Sequence, residues 1–546
     1  MSTRRTTARA STDSTARKST RPAPAEQRDR SGQSDRTERR EQPEQREQPE
    51  QGEQREQRDP ADRPDRVRRA RRADLAAASV AVALVAAAAA TAAVLYSLGH
   101  PVQAGAAPLF AHWRPHVGPG TPAALLLAGL VVRYGPGLAD RLGWRGLLAA
   151  GYAVAAAWTL SLALVDGWRV GIAGRLTTEH EYLHEVPGVT GIHAMLHGFT
   201  ARILDFQPDS WTTHVAGHPP GALLTFVALD RLGLSGGGWA GMLCVAVGAL
   251  TAVAVPQTVR LLATEEAARA VVPFAVLFPG AVWIGVSADG LFAGVTASGV
   301  ALLAAGAART ARTGCATRAA RATRAGWAAR VSGAVWRDTA AVAGGVLLGF
   351  GCYLSYGLVL MAPVAAAVVL LAGPGNRLRS AVGAAIGAAV VAGAFTAAGF
   401  PWWTGYHLVV ERYYQGIATR RAYGYWVWAN LASLAVSAGP AAAVILRRAA
   451  TTVIPHHALA ARKTARRTAR GTRSPAVWAL PLAAALAVLA ADLSGYSKAE
   501  VERIWLPFAV WFAAGAALIP ADRRRFWLIV QASTALLVNH LLLTTW

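Results

Sequence analysis

Apolar residues run through this chain in long blocks that carry few charges, separated by short polar stretches. Such blocks lie at 75–98, 123–138, 146–165, 239–262, 291–308, 382–398, 426–446, 477–491, 505–519 and 526–543. A bilayer crossing takes about 20 mostly apolar residues, so each block predicts a membrane-spanning helix. The stretch 340–371 predicts a helix out and a helix back, turning near Tyr353 to Tyr356, and 220–234 and 271–284 are shorter apolar segments. No region alternates apolar and polar residues in the manner of a membrane β-barrel. The pattern therefore predicts an all-α polytopic integral membrane protein with about 12–14 transmembrane helices.

Composition strengthens this reading. The 546 residues are 53% hydrophobic and 16% charged, with a mean hydropathy of +0.29, too apolar for a soluble globule. A net charge of +23 would suggest a nucleic-acid partner in a soluble protein. Here the basic residues fall in blocks between apolar spans, so they are read as topology signals that touch anionic headgroups, and no nucleic acid is expected. On this rule the loops 309–338 and 447–474, and Arg523 to Arg525, lie in the cytoplasm. Residues 1–73, with the near repeat EQPEQREQPEQGEQREQ, are too polar to bury a core and predict a disordered cytoplasmic tail ahead of a membrane domain at 74–546. This tail is not a signal peptide, because its first apolar block comes too late, and VRRARRAD holds this end inside the cell. Cys244, Cys315 and Cys352 are scattered and offer neither a disulfide nor a zinc-thiolate site.

Counting crossings from the N-terminus places the loop 166–218 outside the cell. Counting back from the C-terminus also places SGYSKAEVER, FPWWTGYHLVVERYYQGIATRRAYGY and Asp289 outside. The two counts conflict in the middle, where 220–234, 239–262 and 271–284 are three segments and two outer ends need an even number. One of them must be broken, re-entrant or short, and SGGGW at 235–239 is the obvious weak point.

Four outer stretches can converge: TTEHEYLHEVPG, THVAGHPPG, VSADG and SKAEVERIW. Glu179 and Glu181 are candidate general bases, since a partly desolvated carboxylate can take a proton from a hydroxyl. The alternative is that they simply face water. Asp289 either holds an acceptor or caps the helix beginning at Gly290. The aromatic residues between Trp402 and Trp428 form an interfacial belt or a sugar platform. His180, Glu181 and His184 also match H-E-x-x-H, a zinc-protease pattern in which both histidines bind metal, although Pro187 and Gly188 would end the helix at once. A carrier or flippase is the third reading, but ionisable residues in mid-span and duplicated halves are not visible.

The acids and tyrosine of TEHEYL, then GHPPGALLTFVAL, then LFPGAVWIGVSADGLF, resemble membrane glycosyltransferases of the C superfamily over about 168–303, and ERIWLPF adds to the likeness. The nearest patterns are the protein mannosyltransferases and the bacterial lipid A aminoarabinose transferases. The resemblance implies an inverting enzyme that takes a sugar from a polyprenyl-phosphate donor and passes it to a cell-envelope glycan, lipid or protein acceptor. The reaction would take place on the outer side of the cell membrane. It implies an essential acid in the first large outer loop. Because this chain has Glu179-His180-Glu181 where the family commonly has Asp-Glu or a single Asp, either glutamate can fill that role. Charge that develops on the leaving phosphate calls for a cation, with Arg503 first, then Lys498 and Arg412. Glu502 beside Arg503 joins the substrate-binding set, and His218 would shape the pocket mouth. A divalent metal ion is left open as a cofactor, since some members of the superfamily need one.

Overall fold

The structure is a computed structural model that describes residues 62–308, 324–453 and 474–544. Met1–Pro64 and Asp65–Trp546 are separate units, and the second contains everything described below. The predicted tail up to residue 61, Cys315, and the loop segments 309–323 and 454–473 lie outside the described residues. Residues 324–338, read as loop, continue into the helix Arg324–Leu354.

Among the described residues, seven helices are long and apolar enough to cross a membrane. They are Val67–Ser97, Thr121–Arg141, Trp144–Asp166, Gly237–Leu262, Ala288–Ala307, Pro374–Ala397 and Ala476–Leu493, and one bent pair would make eight. The chain is thus the polytopic helical protein its apolar blocks predict, with fewer full-length spans than the count of about 12–14. The other blocks do fold as helices, but several are short: Pro220–Arg231, Glu265–Val276, Tyr356–Leu371 and Leu506–Leu518. At 1.5 Å per residue a 12-residue helix reaches only about 18 Å, against a hydrocarbon core of about 30 Å.

The three segments in the middle of the chain differ in length. Gly237–Leu262 is the full-length member of the three segments, while Pro220–Arg231 and Glu265–Val276 have 12 residues each. Ser235 and Gly236 of SGGGW turn the chain, with Gly236 at φ +89, and the helix begins at Gly237. The turn near Tyr353 falls where expected, because Ser355 is extended between Arg324–Leu354 and the next helix.

The block 426–446, expected as one span, is instead two helices, Tyr423–Ser437 and Pro440–Val453, bent by 106°. Pro440 supplies no amide hydrogen to continue the first helix, and Gly439 turns the chain at φ +78. Gln531 satisfies the freed backbone: its amide nitrogen donates to Ala438 O at 2.9 Å, and its carbonyl accepts from Ala441 N at 3.3 Å. Elsewhere glycines bring helices into backbone contact. A Cβ at Gly387 would sit 2.1 Å from Val342 O, the close approach expected of small residues in lipid.

Charges mark the two ends of the bundle. Arg447 and Arg448 both bind Asp74, and Arg71 pairs with Asp522 at 3.0 Å. The segments around Asp74, Arg447 and Asp522 therefore meet at one end. At the other end Leu542–Thr544 pairs antiparallel with Ala111–Trp113. There Asp166 accepts from Arg175 and lies against His116, both at 2.8 Å, which roots the loop 166–218 beside that ribbon.

Candidate active site

Between Asp166 and Pro220 the chain folds into short helical turns tied by local bonds. Glu185 accepts from Thr212 N at 2.9 Å, and Trp211 Nε1 donates to Phe199 O at 2.9 Å, so the two halves of the loop close on each other. Tyr182 is the buried anchor. Its ring packs on Phe226 at 5.2 Å and on His214 and His218 at 6.1 and 5.8 Å. Because Tyr182 turns inward, its neighbour Glu181 is carried in with it and is only 5% exposed.

Glu181 enters a network of charges. One carboxylate oxygen lies 3.2 Å from His214 Nδ1, and the other, Oε2, is buried without a hydrogen-bond partner. His214 Nδ1 also lies 2.9 Å from His180 O, while Arg503 Nη2 donates to His214 Nε2 at 3.1 Å. A guanidinium can only donate and a carbonyl can only accept, so His214 is neutral with its proton on Nδ1. Burial, and then the Arg503 charge, hold the His214 pKa well below that of an ordinary histidine. Arg503 Nη1 donates to Asp289 at 2.6 Å and Nη2 to Glu500 at 2.7 Å. Burial works against the Arg503 charge, but Asp289, Glu500 and Glu181 outweigh it and hold its pKa above the ordinary value.

Burial pushes the Glu181 pKa up to about 7; Arg503 opposes the rise, and Asp289 and Glu500 add to it. This is the condition of a carboxyl able to exchange a proton near neutrality. Burial likewise raises His218 out of its charged form, lowering its pKa. His218 Nδ1 lies 2.8 Å from His214 O and 2.9 Å from Tyr182 Oη.

Glu500 comes from an unusual turn. Ala499 and Glu500 stand consecutively in the left-handed region, at φ 66 and 63, a conformation that costs a non-glycine residue about 1 kcal/mol or more. Neighbours hold it. Asn430 Nδ2 donates to Ser497 O at 2.6 Å and to Asp492 at 2.9 Å, and Asn430 Oδ1 accepts from Ala499 N at 3.2 Å. Arg421 donates to Lys498 O at 2.8 Å and to Glu500 at 3.0 Å. With Arg503 and Arg421 on either side, Glu500 keeps its pKa below the carboxylate norm despite burial.

The structure brings together some of the residues singled out from the sequence and separates others. Glu181, Asp289, Arg503 and His218 converge. Asp289 does not cap its helix: Ser287 occupies the cap position, Ala288–Ala307 begins after it, and the Asp289 carboxylate turns to Arg503. Glu179 is exposed, 3.7 Å from His180, outside the network. Arg412 pairs with Asp205 at 2.7 Å, away from these acids. Glu502 is fully buried and accepts from Phe110 N at 2.8 Å, with its pKa pushed up to about 7 by burial. Lys498 lies at the edge, its ammonium 3.2 Å from Ala418 O and 5.3 Å from the Tyr414 ring, and it makes no ion pair among the described residues. His214, Glu500 and Arg421 had not been assigned to the site. Their sequence signal is slight: an acid three residues before Arg503, and a histidine in THVAGH.

The zinc pattern lacks its context. Tyr182–Glu185 is a single helical turn that starts after His180 and Glu181, so His180 and His184 do not share a helical face. Among the described residues no three His, Cys, Asp or Glu side chains are grouped to hold a metal ion. The aromatic belt divides into separate clusters. Trp402 stacks on Tyr406 at 5.6 Å, Tyr413 and Tyr414 meet Tyr496, and Tyr425 packs edge-on to Trp426.

No protein-family model matches the chain, and no curated protein sequence matches it. Two solved structures are similar. ArnT from Cupriavidus metallidurans, in the apo state, is 16% identical with a TM-score of 0.37, over 69% of this chain and 59% of that one. An oligosaccharyltransferase from Archaeoglobus fulgidus, tethered to an acceptor peptide, is 12% identical with a TM-score of 0.35, over 68% of this chain and 49% of that one. The matched region thus spans about half to three fifths of each solved chain.

Proposed function

We propose that this protein is a membrane glycosyltransferase that moves a sugar, with inversion, from a polyprenyl-phosphate donor to a cell-envelope acceptor on the outer side. The observation that carries this reading is Glu181: a buried carboxyl, held beside a neutral histidine, with one oxygen lacking any hydrogen-bond partner. That oxygen takes the proton of the acceptor hydroxyl. The acceptor oxygen bonds to the anomeric carbon as the bond from that carbon to the phosphate oxygen breaks, and the lipid phosphate leaves with the electron pair. One displacement inverts the sugar.

Arg503 has a different role from the phosphate clamp expected of it. Asp289 and Glu500 already engage its two terminal nitrogens, so it organises the acids around Glu181. Charge on the leaving phosphate falls instead to Lys498, whose ammonium has no carboxylate partner among the described residues and lies 5.3 Å from the Tyr414 ring. Glu181 Oε2 is closed off from solvent in this conformation, so the acceptor reaches it once part of the loop 166–218 is displaced. Radiolabelled polyprenyl-phosphate sugars of several kinds, offered to the purified protein with envelope extract, test the reaction. One donor should be consumed with label passing to the extract; no consumption of any donor would overturn the proposal.

A further inference from the structure

At the end of the bundle that carries Asp74, Asp522 and the basic clusters, an open groove of about 690 Å³ lies between the start of Trp144–Asp166 and the end of Gly237–Leu262. It is far from Glu181 in the fold, and the transfer chemistry uses none of its residues. Arg524, at the start of the last helix, lies within electrostatic reach of Asp140 and Glu266, which places the groove beside that basic end. Trp144, Arg145, Gln257 and Arg260 line it. The Trp144 indole donates to Gln257 at 2.9 Å, and the Arg260 guanidinium covers the Trp144 ring at 4.8 Å. Arg260 also pairs with Glu265 at 2.8 Å, so its charge is half spoken for. Arg145 is exposed and makes no ion pair among the described residues.

Two glycines keep the groove open. Gly143 has φ −58 and ψ 146, a conformation any residue adopts, and a Cβ at Gly143 or Gly146 would meet nothing within 4 Å. Neither backbone strain nor helix packing calls for glycine there. Their effect is to leave part of the groove wall bare of side chains, in a groove that Arg145 and Arg260 also line. The first turn of the helix beginning at Trp144 lines the groove and has no side-chain cap, so its amide hydrogens add positive potential there.

We propose that this groove binds the phosphate group of an anionic membrane phospholipid, with Arg145 and Arg260 on the phosphate and the Trp144 ring at headgroup depth. Its chemistry would suit free phosphate too, so the test separates the two sources. The full-length protein in neutral detergent is titrated with phosphatidylglycerol, with phosphatidylcholine and with inorganic phosphate, and occupancy is read by native mass spectrometry. Phosphatidylglycerol should bind in preference to phosphatidylcholine. Arg145→Gln should lower its affinity about fivefold, the equivalent of about 1 kcal/mol for one basic residue at a membrane surface. Gly146→Leu fills the groove without changing charge and should also weaken binding, whereas Arg133→Gln, an exposed basic residue outside the groove, should not. Equal binding of the two lipids, unchanged affinity in both groove variants, or displacement of the lipid by millimolar inorganic phosphate would overturn the assignment.

Discussion

His214 stands between Glu181 and Arg503, and that position sets the chemistry of the carboxyl. The imidazole lies 3.2 Å from the carboxylate and accepts from the guanidinium on its other side, and burial keeps the Glu181 pKa near 7. A base works deprotonated, and a raised pKa means that Glu181 holds its proton below neutrality. Transfer should therefore rise with pH through about 7 and level off above it, measured as kcat/KM across a pH series. Removing the imidazole, as in His214→Ala, lets Glu181 approach Arg503. An adjacent cation favours the charged carboxylate, so the midpoint should fall below that of the wild type, and an unmoved midpoint would show that the histidine does not set it. Lys498→Ala should raise the donor KM by about tenfold or more, the loss of one charge-assisted contact, with a smaller change when the acceptor is varied. At this scale the sequence was partly legible. The outer acids, Asp289 and Arg503 stood out by type and position, but nothing in TEHEYL tells Glu179 from Glu181. The difference arises because Tyr182 turns inward and takes its neighbour with it.

Helices were legible from apolar periodicity and length, and their interruptions less so. The break within 423–453 was hidden because both halves are apolar and the gap is two residues, Ala438 and Gly439, ahead of Pro440. Gly439 is required there twice over. Its φ of +78 suits glycine, and a Cβ would lie 1.9 Å from Gln531 Oε1, the group that satisfies the exposed backbone. Gly439→Ala should therefore destabilise the protein by about 1–3 kcal/mol, seen as a lower midpoint in thermal unfolding. An unchanged midpoint would mean that the bend relaxes without cost. The turn at Ala499 and Glu500 was invisible in the sequence for the opposite reason. Neither residue type signals a left-handed conformation, which is held by Asn430 in the helix Tyr423–Ser437 and by Arg421 just ahead of it.

Across the whole molecule, ion pairs draw the first helix, Arg447, Arg448 and Asp522 to one end. Asp74 gathers Arg447 and Arg448, Asp522 gathers Arg71, and the loop with Glu181 lies at the far end beside the Ala111–Trp113 ribbon. If the basic end is cytoplasmic, a cysteine placed at exposed Glu179 should react with a membrane-impermeant maleimide in intact cells. One placed at Arg525 should react only after the membrane is opened, with Cys244, Cys315 and Cys352 replaced in both. The number of full-length spans was the least legible property, because a 12-residue apolar helix and half of a longer one read alike in sequence. The central claim, that Glu181 is the base of a sugar transfer, is tested most directly by single-turnover transfer from the accepted donor. Wild type is compared with Glu181→Gln and Glu179→Gln, each checked for an unchanged thermal midpoint. Loss of about 10²-fold or more in Glu181→Gln, with Glu179→Gln close to wild type, is the expected result. Full transfer by Glu181→Gln, or loss confined to Glu179→Gln, would contradict it.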